Sequence, residues 1–193
     1  MAGGEHTHMT ITVDQVRELR NRTGAGVLDA KNALEAAGGD MEAAALALRE
    51  KGFAAAAKKA TREARQGQVA SYIHGSPGRV GVLVEVNCET DFVARTDAFR
   101  TLVQNIALQI AATNPTWVNV EGIPAEVLAG PHETEDGQPL AEDTWLEQVV
   151  LLRQPTIRDA SLTVADLVTQ AIAEVGENIV VRRFARFELG EQV

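Results

Sequence analysis

Asn87-Cys88-Glu89-Thr90-Asp91-Phe92-Val93-Ala94-Arg95-Thr96-Asp97-Ala98-Phe99 joins two different periodicities, and the fold reads outward from it. Before it, Arg79 to Val86 sets Val80, Val82, Val84 and Val86 on one side, the alternation of a strand with one buried face. After it, Phe99, Leu102, Val103, Ile106 and Ile110 recur at helical spacing, so the chain turns from strand to helix between Cys88 and Thr96. Asp91-Phe92 sits in that gap, in neither stripe. One reading makes the ring an anchor that plugs the local core, as loop aromatics usually do. The other makes it an aromatic presented to a partner.

The flanks extend the pattern. Thr12 and Gln15 form a capping box with Ile11 and Val16 as its staple, so a helix starts near Val13 and ends near Arg22. Gly24 and Gly26 bracket a turn, Val27 to Ala37 reads as a second helix closed by Gly38, and Asp40 caps a third that Gly52 ends. Residues 11–53 thus form a three-helix bundle that resembles the ubiquitin-associated fold, too small to bury much core and suited to work docked on something. Residues 54–67 read as an Ala-rich linker helix with Lys58, Arg62 and Arg65 along one face. A basic stripe suggests RNA, but no aromatic is interleaved to stack a base, and a solvated helix end explains it as well.

Residues 68–190 form the remaining unit. Val69 to His74 pairs through a Gly75-Ser76-Pro77-Gly78 turn with Arg79 to Val86, and a helix from Asp97 stops at Asn114-Pro115. Ile123 to Glu126 suggests a short helix, and 130–142 turns to Gly, Pro and acids, as a flexible surface insertion does. Thr163 and Asp166 make a second capping box, ahead of a Val164, Val168, Ala171, Ile172 and Val175 stripe closed by Gly176. Asn178 to Leu189 is the last strand; its alternation slips at Arg182-Arg183, which a bulge could accommodate although the sequence does not place one. The expected fold class is α+β, a helical bundle followed by a three-stranded antiparallel sheet covered on one face by helices.

Composition narrows the function. Across 193 residues, Lys and Arg total 18 against 27 Asp and Glu, a formal charge of -9, which argues against nucleic acid and for a protein partner. No apolar run is long enough to span a bilayer, and a lone cysteine, Cys88, suits a reducing cytoplasm. Residues 1–10 lack periodicity and read as a leader or disordered tail, in which His6 and His8 make a weak metal site. Enzymatic chemistry finds little footing. Cys88 and His74 are the only candidates for a thiol-imidazole pair, and Cys88 shares the parity of the buried valines. Glu89 and Asp91 lack a third cation ligand, and Gly24-Ala25-Gly26 lacks both the lysine and the strand of a phosphate loop. No cofactor or metal is expected.

Thr90-Asp91-Phe92-Val93-Ala94-Arg95 resembles the signature of the bacterial elongation factor Ts family. Three further segments agree in the family's order: Leu19 to Gly26, Ala57-Lys58-Lys59-Ala60, and Arg182-Arg183-Phe184 to Gly190. The resemblance spans about residues 11–113 and 145–190. It implies an exchange factor, not an enzyme, that promotes GDP release from the GTPase elongation factor Tu. By motif match, Phe92 would be the wedge near the Mg²⁺ and phosphate site and Asp91 its anchor, with Thr90 and Val93 beside them. By position, Arg20, Leu28 and Lys31 would dock on the nucleotide-binding domain, although Leu28 reads equally as core and Lys31 as solvated surface. Leu28 stands where the family commonly has Met, Thr96 where Asn is frequent, and Thr156 for the Phe of a Gln-Pro-Phe. The 130–142 segment replaces a longer helical excursion. With one sheet unit, the chain resembles the short form, in which two chains pair through their sheets. Ala185 occupies the place of a crosslinking cysteine, so a non-covalent homodimer is expected. The alternative is a ubiquitin-associated-like binding module on a dimeric scaffold, without exchange activity.

Overall fold

The computed structural model describes residues 11–134 and 136–191, so the expectations for the first ten residues lie outside the described residues. The bundle forms as its caps dictate. Helices α1 (Val13–Thr23), α2 (Val27–Ala36) and α3 (Met41–Lys59) pack around Leu19, Ala30, Leu34, Ala44 and Leu48. The Thr12 hydroxyl accepts from the Gln15 amide, and the Gln15 side chain accepts in return from the Thr12 amide. Ile11 and Val16 both pack against this small core.

Gly52 corrects the expected helix boundary. Helix α3 runs through it to Lys59, and no separate linker helix follows. A Cβ at Gly52 would lie 3.1 Å from the Thr169 Cγ2, so this glycine permits the close approach of α3 to a later helix and ends nothing. The basic stripe dissolves with the linker: Lys58 lies in the last turn of α3, Arg62 and Arg65 follow the helix, and Arg62 reaches Glu89 at 3.5 Å.

Strand β1 (Gln66–His74) therefore starts earlier than the sequence suggested. Gly67 lies inside it at φ +136°, with its would-be Cβ 2.1 Å from the Val86 carbonyl oxygen, a place no side chain can occupy. β1 pairs antiparallel with β2 (Val80–Cys88), and β2 with β3 (Ile179–Glu188), in the order β1-β2-β3. The slip at Arg182 is a bulge: Glu85 faces Arg183 while Val86 faces Val181. The extra residue is held by its guanidinium, which donates to the Asn87 Oδ1 at 2.9 Å and to the Ala64 carbonyl at 3.2 Å.

One sheet face carries the main core. Val82, Val84, Val86 and Cys88 pack with Val181 and Ile179 against α5 (Asp97–Thr113) and α8 (Val164–Val175). The α5 stripe of Phe99, Leu102, Val103, Ile106 and Ile110 is buried throughout, and Asn114 stops the helix in the left-handed region at φ 48°. Between strand and helix lies one short turn, α4 (Asp91–Ala94).

The opposite sheet face is bare. Val69, Ile73, Leu83, Phe187 and Leu189 are all exposed on it.

After α5 come α6 (Ala125–Leu128) and α7 (Glu142–Val149), and a satellite cluster of Ile123, Leu146 and Val150 with Trp117 and Trp145. The insertion between them holds its own hydrogen bonds among the described residues, Leu140 to His132 at 2.8 Å and Thr134 to Gln138 at 2.9 Å. His132 stacks on Trp145 with ring centroids 3.8 Å apart.

Candidate functional site

The turn α4 has its geometry set by its neighbours. Thr90 caps it, its hydroxyl accepting from the Val93 amide at 3.3 Å, and Val93 is buried beneath it as the peg into the core. Thr96 donates to the Val93 carbonyl at 2.8 Å and caps α5 through the Phe99 amide. With Val93 turned inward, Phe92 must turn outward. Its ring is 77% exposed, the most exposed large apolar side chain among the described residues. The core-anchor reading is thereby overturned: Val93 fills that place.

Asp91 is exposed and pairs with Arg95 one turn on, at 2.7 Å. Cys88 lies behind the turn, its thiol donating to the Thr90 carbonyl at 3.1 Å. Burial, then the nearby Glu177 carboxylate, pushes that thiol up to about 11, so it is neither ionised nor accessible at neutral pH. His74 faces Val80 and Cys88 faces Gln66, at opposite ends of the β1-β2 ladder, so the considered thiol-imidazole pair is not formed. Glu89 is engaged by Asn178 at 2.6 Å, and among the described residues no group of three or more potential ligands gathers.

The candidate residues of the bundle lie apart from this turn. Helix α4 packs on β1, β2 and α5, whereas α2 packs on α1 and α3. Leu28 is 69% exposed, which removes its core reading, and Val27 beside it is exposed too. Lys31 is exposed and pairs with Glu35 at 3.5 Å; Arg20 is exposed near the end of α1. Val27-Leu28 and Phe92 are thus separate apolar prominences on the surface, one on the bundle and one on the sheet unit.

A cleft of about 680 Å³ separates the bundle from α8. Some of its charges are matched within it, Arg22 to Glu42 at 2.8 Å and Lys51 to Asp29 at 2.6 Å. Contact with Arg22 holds the Glu42 carboxyl below its ordinary value. Deeper in, Arg49 grips Asp166 with two hydrogen bonds of 2.6 and 2.7 Å, and Asp166 also accepts from the Thr163 amide and hydroxyl. One carboxylate thus completes the α8 capping box and ties α8 to α3. Sequence reading saw the box but not the arginine.

The comparisons with known proteins agree with the motifs. The elongation factor Ts family model matches residues 48–191. The chain belongs to the elongation factor Ts family. Elongation factor Ts of Carboxydothermus hydrogenoformans is 52% identical over 94% of this chain and 90% of its own. That of Caldanaerobacter subterraneus subsp. tengcongensis is 52% identical over 95% and 98%, and that of Herpetosiphon aurantiacus 49% over 94% and 99%. These relatives also cover the bundle, whose first two helices precede the span that the family model matches. Among elongation factor Ts proteins, then, this chain is similar to ones of nearly its own length. No helix among the described residues is long and apolar enough to cross a membrane.

Proposed function

We propose that this protein is the guanine-nucleotide exchange factor of elongation factor Tu and that Asp91-Phe92 is its working turn. The observation that carries the reading is the Phe92 ring, apolar and almost bare to solvent on a turn held down on its other side by Val93. A bare phenyl ring gains on entering an apolar crevice of a partner, at about 1.5–3 kcal/mol for full burial. Exchange follows if that crevice opens only when the elements holding Mg²⁺ and phosphate are displaced. The protein then binds the nucleotide-free GTPase more tightly than the loaded one, and by linkage weakens the nucleotide by the same factor. Asp91 exchanges Arg95 for a polar group of the partner, with Thr90 and Val93 setting its position.

Residues 11–53 are the docking module in this account, offering Leu28 with Arg20 and Lys31 to the nucleotide-binding domain, while the Arg49-Asp166 pair fixes the module relative to the core. The bare sheet face belongs to a second copy of the chain. Val69, Ile73, Leu83, Phe187 and Leu189 form an apolar face on a sheet with two open edges, and a twofold partner would cover it. No thiol is available on it, since the only cysteine, Cys88, is buried on the other side.

The test is release of a fluorescent GDP from elongation factor Tu with and without the protein. Release should accelerate with protein concentration and saturate. An unchanged rate with demonstrable complex formation would leave a binding module and no exchange factor.

A further inference from the structure

Phe92 is useful as a wedge only if the turn beneath it keeps its direction, and besides Thr90 and Val93 that turn is held by a residue the motif does not contain. The Glu177 carboxylate accepts three hydrogen bonds from the start of the turn: the Glu89 amide at 3.1 Å, the Thr90 amide at 3.0 Å and the Thr90 hydroxyl at 2.6 Å. Thr90 is two residues from the ring and caps its helix. Glu177 is itself fixed. It follows Gly176, which ends α8, and precedes Asn178, whose amide donates to Glu89 at 2.6 Å and whose side chain donates to the Arg62 carbonyl at 2.8 Å. The two acids thus clasp the segments across from one another, Glu177 holding the amides of Glu89 and Thr90 and Glu89 holding that of Asn178. A carboxylate that merely keeps a surface soluble faces water; this one spends both oxygens on one exposed turn.

We propose that Glu177 is a positioning residue for nucleotide exchange: its carboxylate clamps the N-terminal end of α4 and so fixes the direction in which Phe92 leaves the surface. The inference rests on the reading of Asp91-Phe92 as the working turn. Without the clamp the ring samples directions that miss the crevice, and only the fraction correctly posed drives release. Docking through the bundle is untouched, so the saturating rate falls while the concentration for half-saturation stays.

The experiment compares GDP release from elongation factor Tu over a concentration series of wild type, Glu177→Ala and Glu177→Gln. Glu177→Ala removes the acceptors of all three hydrogen bonds and should lower the saturating rate about tenfold, the effect of one charged hydrogen bond lost, with half-saturation within about twofold of wild type. Glu177→Gln keeps one oxygen for the two amides and offers its NH₂ to the Thr90 hydroxyl, and should recover to within about threefold. A folded Glu177→Ala with the wild-type saturating rate overturns the proposal, as does a loss confined to half-saturation. Should that variant not fold, amide hydrogen exchange at Thr90 decides: an amide protected in wild type and somewhat less so in Glu177→Gln, whose neutral oxygen is the weaker acceptor, supports the clamp, and one unprotected in wild type or equally protected in both refutes it. If wild type itself fails to speed release, the exchange reading fails, and the Thr90 amide still reports on the clamp alone.

Discussion

Replacing Phe92 with alanine separates the ring's effect on the fold from its effect on a partner. The ring is 77% exposed, so less than a quarter of its surface is already covered. With full burial of a phenyl ring worth about 1.5–3 kcal/mol, truncation should cost the fold only about 0.5 kcal/mol, a melting shift of about 1–2 °C in a chain this long. The larger share of the ring is still to be buried on the partner. That share is worth about 2 kcal/mol, and if it is gained only as nucleotide leaves, Phe92→Ala slows the accelerated GDP release roughly thirtyfold. The assay is stopped-flow release of fluorescent GDP at saturating factor, with thermal melting of the same preparation. A melting temperature lowered by ten degrees or more would mean that the ring supports the fold after all. A normal melting temperature with normal release would remove Phe92 from the mechanism.

Asp91→Ala loses only an exposed pair with Arg95, worth about 0.2–1 kcal/mol, so melting should barely move while release slows; normal release would free Asp91 of any role at the partner. Arg49→Ala strips the nearly buried Asp166 carboxylate of two charged hydrogen bonds, and urea unfolding should report a loss of about 1.5–3 kcal/mol; an unchanged midpoint would mean that the bundle is not tied down there. The Glu85 carboxyl is held below its ordinary value by the hydrogen bond from Arg183 and then by that from Asn87, so its contribution is present above pH 4.5 and lost as pH falls through the lowered value. The melting difference between wild type and Glu85→Gln should therefore exist at pH 7 and close in acid; a difference that grows in acid would reverse the sign. Sedimentation at micromolar concentration should find a homodimer with or without reductant, and Phe187→Glu on the bare sheet face should dissociate it; a wild-type monomer throughout would refute the pairing.

Local chemistry was legible in the sequence and long-range pairing was not. Both capping boxes, the α5 stripe from Phe99 to Ile110 and the β1-β2 turn follow from spacing and residue type, and each stands in the structure; the slip at Arg182-Arg183 was visible too, but only the register places its bulge. The two misread glycines share one cause. Glycine often marks a helix end, but Gly52 and Gly67 each yield instead to a neighbour distant in sequence, Thr169 and Val86. The buried Gln109 and Gln154 were missed for the same reason: their amides bond across 45 residues at 3.2 Å, and Thr113 completes the set by donating to Gln154 at 2.6 Å. At the candidate site, the motif located Asp91-Phe92, but which of Phe92 and Val93 turns inward depends on the packing of α4 over the sheet. Glu177 carries no local sign of its role. Its partners lie 87 and 88 residues away, and only the meeting of the α8 terminus with the end of β2 reveals them.

The most direct test of the account is equilibrium linkage. The affinity of the protein for elongation factor Tu is measured twice, with the GTPase free of nucleotide and with it saturated by GDP, beside the affinity of GDP for the GTPase with and without the protein. The account predicts tighter binding to the nucleotide-free form, by the same factor as that by which the protein weakens GDP. Equal affinity for the two forms would contradict it.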